Sequence, residues 1–233
     1  MRICGIQGVS LIDFPGKIAS IFFLAGCNFR CPFCQNQSLV EERSFPARIS
    51  EGEALEFLKK KNRLIDGVEI TGGEPLANSE GLIEFLEKVK EMGLYVKIDT
   101  NGYEVGKLEE ILKRGIVDYV AMDIKTSFKK YDLAAGRKVN VDRIANSIRI
   151  IMEKSIDYEF RTTCVPGIVT LDDIEEISYS IKGAKRYYIQ QFRNDRPTLD
   201  PSYMRIEAYS REQMERFLEV ARTYVAAASI RGA

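Results

Sequence analysis

The stretch "KIASIFFLAGCNFRCPFC", residues 17–34, joins a run of apolar residues to three cysteines. Residues 17–26 read as a buried strand, and Cys27, Cys31 and Cys34 crowd into the loop that leaves it. The only other cysteines are Cys4 and Cys164. Three thiols are one short of a closed tetrahedral zinc site, and disulfide pairing would leave one over. Thiolate is a soft ligand that favours zinc, copper(I) and iron–sulfur clusters, so a soft-metal or redox centre is expected here.

Downstream, strand-like and helix-like runs alternate. Strands are expected at 67–71, 94–100, 117–125, 157–165 and 186–192, and helices at 50–62, 82–92, 106–114, 142–154, 171–181 and 210–224. Ser50 with Glu53, and Ser210 with Gln213, have the spacing of capping boxes. Six strands each leading on to a helix imply an α/β fold with parallel strands. A doubly wound sheet and a partial barrel both satisfy the pattern, and both keep their chemistry at the C-terminal strand ends. Those ends are polar: "TGGEP" at 71–75, "DTNG" at 99–102, "MDIK" at 122–125, "RTTC" at 161–164 and "QQFRND" at 190–195. Helix capping accounts for some of the Asp, Thr and Asn, but not for Glu74, Lys125 or Arg161. Two long loops, 124–140 and 193–209, read as structureless, and residues 1–16 as a hairpin over one end of the sheet.

The 233 residues suit a single domain: an extension at 1–16, a core at 17–192, and a loop with a C-terminal helix at 193–233. Lys plus Arg and Asp plus Glu each number 34, so nothing points to nucleic acid as a partner. No apolar run reaches membrane-spanning length and no signal peptide is read, so a cytoplasmic location away from the membrane is expected. The chain has no histidine, which removes Ser-His-Asp triads, Cys-His dyads and His-ligated zinc. Arg186, Arg193, Arg196 and Arg205 read either as a dock for an acidic partner or as a solvated face.

Three readings of the cysteines remain. Cys31 and Cys34 fit a thioredoxin-like C-x-x-C pair, but Cys27 is then idle. A zinc site would need Cys4 or Cys164 as its fourth ligand. A [4Fe–4S] cluster on three thiolates leaves one iron open to a substrate or cofactor. Cys27-x3-Cys31-x2-Cys34 after one strand, followed by Gly72, Gly73, Glu74 and Pro75 after the next, resembles the radical S-adenosylmethionine (SAM) superfamily.

That resemblance implies a partial (β/α)6 TIM-type barrel of parallel strands with its active site at the C-terminal strand ends. It implies that Cys27, Cys31 and Cys34 hold a [4Fe–4S] cluster whose fourth iron binds SAM. Reductive cleavage of SAM then gives a 5′-deoxyadenosyl radical that abstracts hydrogen, with no catalytic residue needed beyond the cluster and SAM. Gly72 and Gly73 would let backbone approach the methionine moiety, and Glu74 would accept from its ammonium. Lys125 and Arg161 would donate to its carboxylate. Asp99, Thr100 and Asp123 would accept from ribose hydroxyls or hold a small cation, with Asn101 orienting either. Phe33 would border adenine. Plainer alternatives are an Asx turn for Asp99 and Asn101, a solvated Lys125, an outward-facing Arg161 and cluster shielding for Phe33.

Within the superfamily, "IDTNG" and "MDIK" resemble the activases of glycyl-radical enzymes. "SLIDFPGKIASIFFLAGCNFRCPFCQN", with "RTTCVPGI" and "YYIQQFR", is most similar to the activating proteins of anaerobic ribonucleoside-triphosphate reductase. The partners implied are that glycyl-radical enzyme and a reduced flavodoxin or ferredoxin-type electron donor. The alternatives are a radical SAM enzyme acting on a small molecule, such as a 7-carboxy-7-deazaguanine synthase, and a zinc or thiol-redox module.

Overall fold

The structure, a computed structural model, describes every residue except 78, 155 and 233. Eight strands form one sheet in strict chain order: β1 Ile3–Ser10, β2 Ala19–Leu24, β3 Gly67–Gly72, β4 Tyr95–Thr100, β5 Tyr119–Asp123, β6 Asp157–Cys164, β7 Tyr187–Gln191 and β8 Ala228–Arg231. Parallel pairs join β2 to β3, β3 to β4, β6 to β7 and β7 to β8. A doubly wound sheet must reverse its strand order at a switch point. This order never reverses, so of the two topologies open to the sequence the structure has the singly wound one, that of a partial (β/α) barrel.

The helices are α1 Gln37–Val40, α2 Glu51–Lys61, α3 Leu82–Glu91, α4 Val105–Arg114, α5 Tyr131–Ala135, α6 Val141–Glu153, α7 Leu171–Ser180 and α8 Arg211–Arg222. Both expected capping boxes form. On α2 the Ser50 amide donates to Glu53 Oε2 at 2.8 Å, and the Glu53 amide donates to Ser50 Oγ at 3.2 Å. Ser210 and Gln213 do the same on α8. A third box, Thr170 with Asp173 on α7, uses a shorter acid than the expected Glu or Gln. Among the described residues, no helix is long and apolar enough to cross a membrane.

Four expectations need correction. Residues 3–10 are not a hairpin over the end of the sheet but an edge strand, β1, antiparallel to β2 and bulged between Ile3 and Gly5 and between Gln7 and Ser10. Its glycines and bulges hide the period-two pattern. The 124–140 loop contains a 3-10 turn, Phe128–Lys130, and helix α5. The tail beyond α8 supplies a strand, β8, only four residues long. The 193–209 loop also holds a 3-10 turn, Pro201–Arg205, started by the Asp200 side chain accepting from Ser202 N.

The chain packs as two compact units. The first comprises Met1–Asn28, Asn36–Thr100 and Glu104–Val120; the second comprises Phe29–Gln35, Asn101–Tyr103 and Ala121–Ala233. In the first, Phe22, Val68, Ile70, Phe85, Leu86, Val96 and Ile98 are fully buried. In the second, Tyr131, Ile144, Ile151, Phe160, Ile174 and Ile189 are.

Two left-handed glycines separate steric from conformational need. Gly136 ends α5 at φ 64°, and a Cβ there would overlap the Arg30 carbonyl. Gly183 has φ 81° with open space around it. Gly183→Ala should therefore cost only the left-handed penalty, about 1–2 kcal/mol. Gly136→Ala should cost more, because the Arg30 backbone must also move. Urea unfolding midpoints of the two variants check the order.

Candidate active site

In the first unit, β2 and β3 run side by side, and the loops beyond them are bound together by backbone. Gly73 N donates to Leu24 O at 2.8 Å, and Glu74 N donates to Gly26 O at 2.7 Å. A Cβ on Gly73 would overlap Gly26 O, and one on Gly72, at φ 125°, would overlap the Leu24 backbone. "GG" is therefore a steric requirement of this approach. It seats Glu74 with 1% exposure immediately beyond the loop that carries half-buried Cys27. Glu74 Oε1 accepts from Leu76 N at 3.1 Å and from Thr100 Oγ1 at 2.8 Å, so Thr100 holds the glutamate.

Asp99, next to last on β4, stands beside a charged residue that the strand pattern alone does not single out. Lys97 is 1% exposed, and its Nζ lies 2.6 Å from Asp99 Oδ1 and 2.9 Å from Glu69 Oε2. Glu69 is its register partner on β3. Thr71 Oγ1 donates to Asp99 Oδ2 at 3.5 Å.

In the second unit, Cys31 and Cys34 sit on a tight turn in which Cys34 N donates to Cys31 O at 3.0 Å. The 193–209 loop fastens this turn: Leu199 N donates to Cys34 O and Asp200 N to Pro32 O, both at 2.9 Å. Gln35 Nε2 donates to Arg193 O at 2.7 Å. Phe33 is buried, with its ring centroid 6.4 Å from that of Tyr203. Phe29 packs on Tyr103 and Tyr131, and Arg30 N donates to Ala135 O. Asn101 does make the Asx turn, its Oδ1 accepting from Tyr103 N at 3.0 Å ahead of Gly102 at φ 74°.

Asp123 is the hub of this unit's charges. Arg161 Nε lies 2.7 Å from its Oδ1, and Lys125 Nζ lies 3.0 Å from its Oδ2. Lys125 and Arg161 are thus held in an ion-pair network rather than solvated or turned outward. Burial works to raise the Asp123 carboxyl, but Arg161 and then Lys125 overcome it and hold the group well below the usual carboxylate range. Burial likewise works to lower the Lys125 ammonium; Asp123, followed by Cys31, overcomes it and raises the group.

Residues 21–181 match the family described as the Radical SAM superfamily. The chain belongs to the radical SAM superfamily. It is 32% identical over 228 residues to a Methanocaldococcus jannaschii protein named "putative glycyl-radical enzyme activating enzyme", covering 96% of this chain and 92% of that one. It is 38% identical over 127 residues to the pyruvate formate-lyase-activating enzyme of Clostridium pasteurianum, covering 53% of this chain and 52% of that one. It falls with the activases of this radical SAM superfamily. The fold matches Streptococcus suis SuiB bound to S-adenosylmethionine with TM-score 0.69 at 16% identity, over 91% of this chain and 52% of that one.

The cofactors of this radical SAM enzyme are a [4Fe–4S] cluster and SAM. The residues fit them. The donors are soft thiols, and a cluster takes one thiolate per iron rather than three on one ion. The close approach at Gly73 supplies a backbone cradle that any side chain would fill. Cys4, on β1, and Cys164, fully buried at the end of β6 with its thiol raised by burial, are far from this loop in sequence.

After anaerobic reconstitution, Cys27→Ala, Cys31→Ala and Cys34→Ala should each lose iron, whereas Cys4→Ala and Cys164→Ala should keep it. Iron and sulfide assays read the difference. Because the Asp123 carboxyl is depressed in the folded state, its stabilisation is present above the unfolded value of about 4 and is lost as pH falls below it. Asp123→Asn should therefore flatten the acid side of the stability curve, as measured by thermal melts across pH.

Proposed function

We propose that this enzyme activates an anaerobic ribonucleoside-triphosphate reductase by removing a hydrogen atom from one glycine of that partner. The cluster and SAM, when bound, supply the radical for this abstraction, and an electron from a reduced flavodoxin or ferredoxin-type protein is needed to start it. Everything else is binding and orientation by this chain. Cys27, Cys31 and Cys34 hold the cluster. Gly72 and Gly73 admit the methionine moiety of SAM, and Glu74, kept in place by Thr100, accepts from its ammonium. Lys125 and Arg161 donate to its carboxylate, with Asp123 setting their position. Asp99 and Asn101 serve the ribose, or with Asp123 a small cation, and Phe33 borders the adenine.

The observation that carries the reading is Glu74. An almost fully buried carboxylate, seated by two glycines that have no room for a side chain, directly follows the strand beside the cysteine loop. A solvated surface turn would need neither the glycines nor the burial. Lys125 and Arg161, two cations held on the one carboxylate of Asp123, support a place for negative charge in the second unit. The reductase is favoured as partner by the stretch from Ser10 to Asn36. The pyruvate formate-lyase-activating relative, matched over about half of each chain, makes that lyase the rival.

Anaerobically reconstituted protein, reduced in the presence of SAM, should release 5′-deoxyadenosine. Adding the reductase should then produce a glycyl-radical doublet in the EPR spectrum. A doublet obtained only with pyruvate formate-lyase would reassign the partner, and absence of 5′-deoxyadenosine would overturn the reading.

A further inference from the structure

The tail strand β8 places Arg231 at the end of a chain of charges that runs to Asp123. Arg231 stands opposite Gln190 in the β7–β8 register. From there it reaches across β7, its guanidinium 3.3 Å from the centre of the Tyr188 ring, to Glu159 on β6. Nη1 lies 2.6 Å from Glu159 Oε1 and Nη2 lies 3.0 Å from Oε2, a two-pronged pair. Glu159 is 1% exposed, so its charge has to be met inside the protein. Arg161 Nη1 is 4.0 Å from the same Oε1, while Arg161 Nε bonds Asp123 at 2.7 Å. Arg186, on the segment leading into β7, pairs with Asp157.

We infer that Arg231 is a positioning residue for SAM binding: by occupying Glu159 it keeps Arg161 on Asp123, where its guanidinium serves the SAM carboxylate. Without Arg231, a buried carboxylate would lose its two-pronged partner next to Arg161. Rotating Arg161 toward Glu159 would satisfy that carboxylate and withdraw Nε from Asp123. Tyr188 gives the Arg231 guanidinium a flat bed, which fixes the plane of the fork. Three adjacent strands therefore set the aim of one side chain.

The inference rests on the reading of Arg161 as a SAM ligand, and the test separates the two. SAM affinity is measured by equilibrium dialysis on the anaerobically reconstituted full chain, together with iron content and melting temperature. Arg231→Gln should keep its iron and weaken SAM binding about tenfold, the scale of one charge-assisted contact. Adding Glu159→Gln removes the carboxylate that competes for Arg161, so the double variant should return to within about threefold of wild type. Arg231→Lys, which keeps the charge but loses the fork, should fall between. A merely structural pair would show a lower melting temperature, restored in the double variant, with SAM affinity unmoved throughout; that result overturns the inference alone, as does weak binding that the double variant fails to restore. Wild-type protein that holds iron yet binds no SAM overturns both the inference and the functional reading.

Discussion

A charge buried on a strand has to be met by an opposite charge on the same or a neighbouring strand, because little water reaches it. Glu69, Lys97 and Glu159 are each nearly inaccessible, and each is met in this way. Lys97 joins Glu69 on β3 to Asp99 on its own strand, and Arg231 spans β7 to close on Glu159. The residues nearer the strand ends take their positions from these pairs. Asp99 lies where Lys97 holds it, and Arg161 lies between two carboxylates whose claims on it are unequal.

The two units carry opposite balances of charge. In the first, the carboxylates of Glu69 and Asp99 share Lys97, and buried Glu74 accepts hydrogen bonds from Leu76 N and Thr100 Oγ1. In the second, the carboxylates of Asp123 and Glu159 are shared among Lys125, Arg161 and Arg231. Counted over these residues, the first set has an excess of negative charge and the second an excess of positive charge.

Much of this was legible in the sequence, because strand ends carry their polar residues in short clusters that break an apolar run. The cysteine spacing, "TGGEP", "DTNG", "MDIK" and the six expected strands could be read that way. The supporting charges were harder to see. Glu69, Lys97 and Glu159 sit within apolar strands, where one charge among β-branched and aromatic neighbours reads as an outward-facing residue. The usable signal was spacing: each lies two residues before a polar residue of its own strand, Thr71, Asp99 or Arg161, and so shares its face of the sheet. The tail strand gave no such signal. Four residues are too few to show a period, and β8 is defined by its register with β7. The roles of Leu199 and Asp200 were invisible for a different reason. They act through backbone amides, which every residue but proline possesses.

Those amides bear on how the protein is made. The turn bearing Cys31 and Cys34 is synthesised early, yet its carbonyls at Pro32 and Cys34 are met by Asp200 and Leu199, and Gln35 reaches Arg193, 158 residues further along. While the chain is still on the ribosome, the thiols are exposed before the segment that shapes their turn exists. The finished geometry of that turn is therefore a late event of synthesis, and iron delivered earlier would meet loose cysteines rather than a formed site.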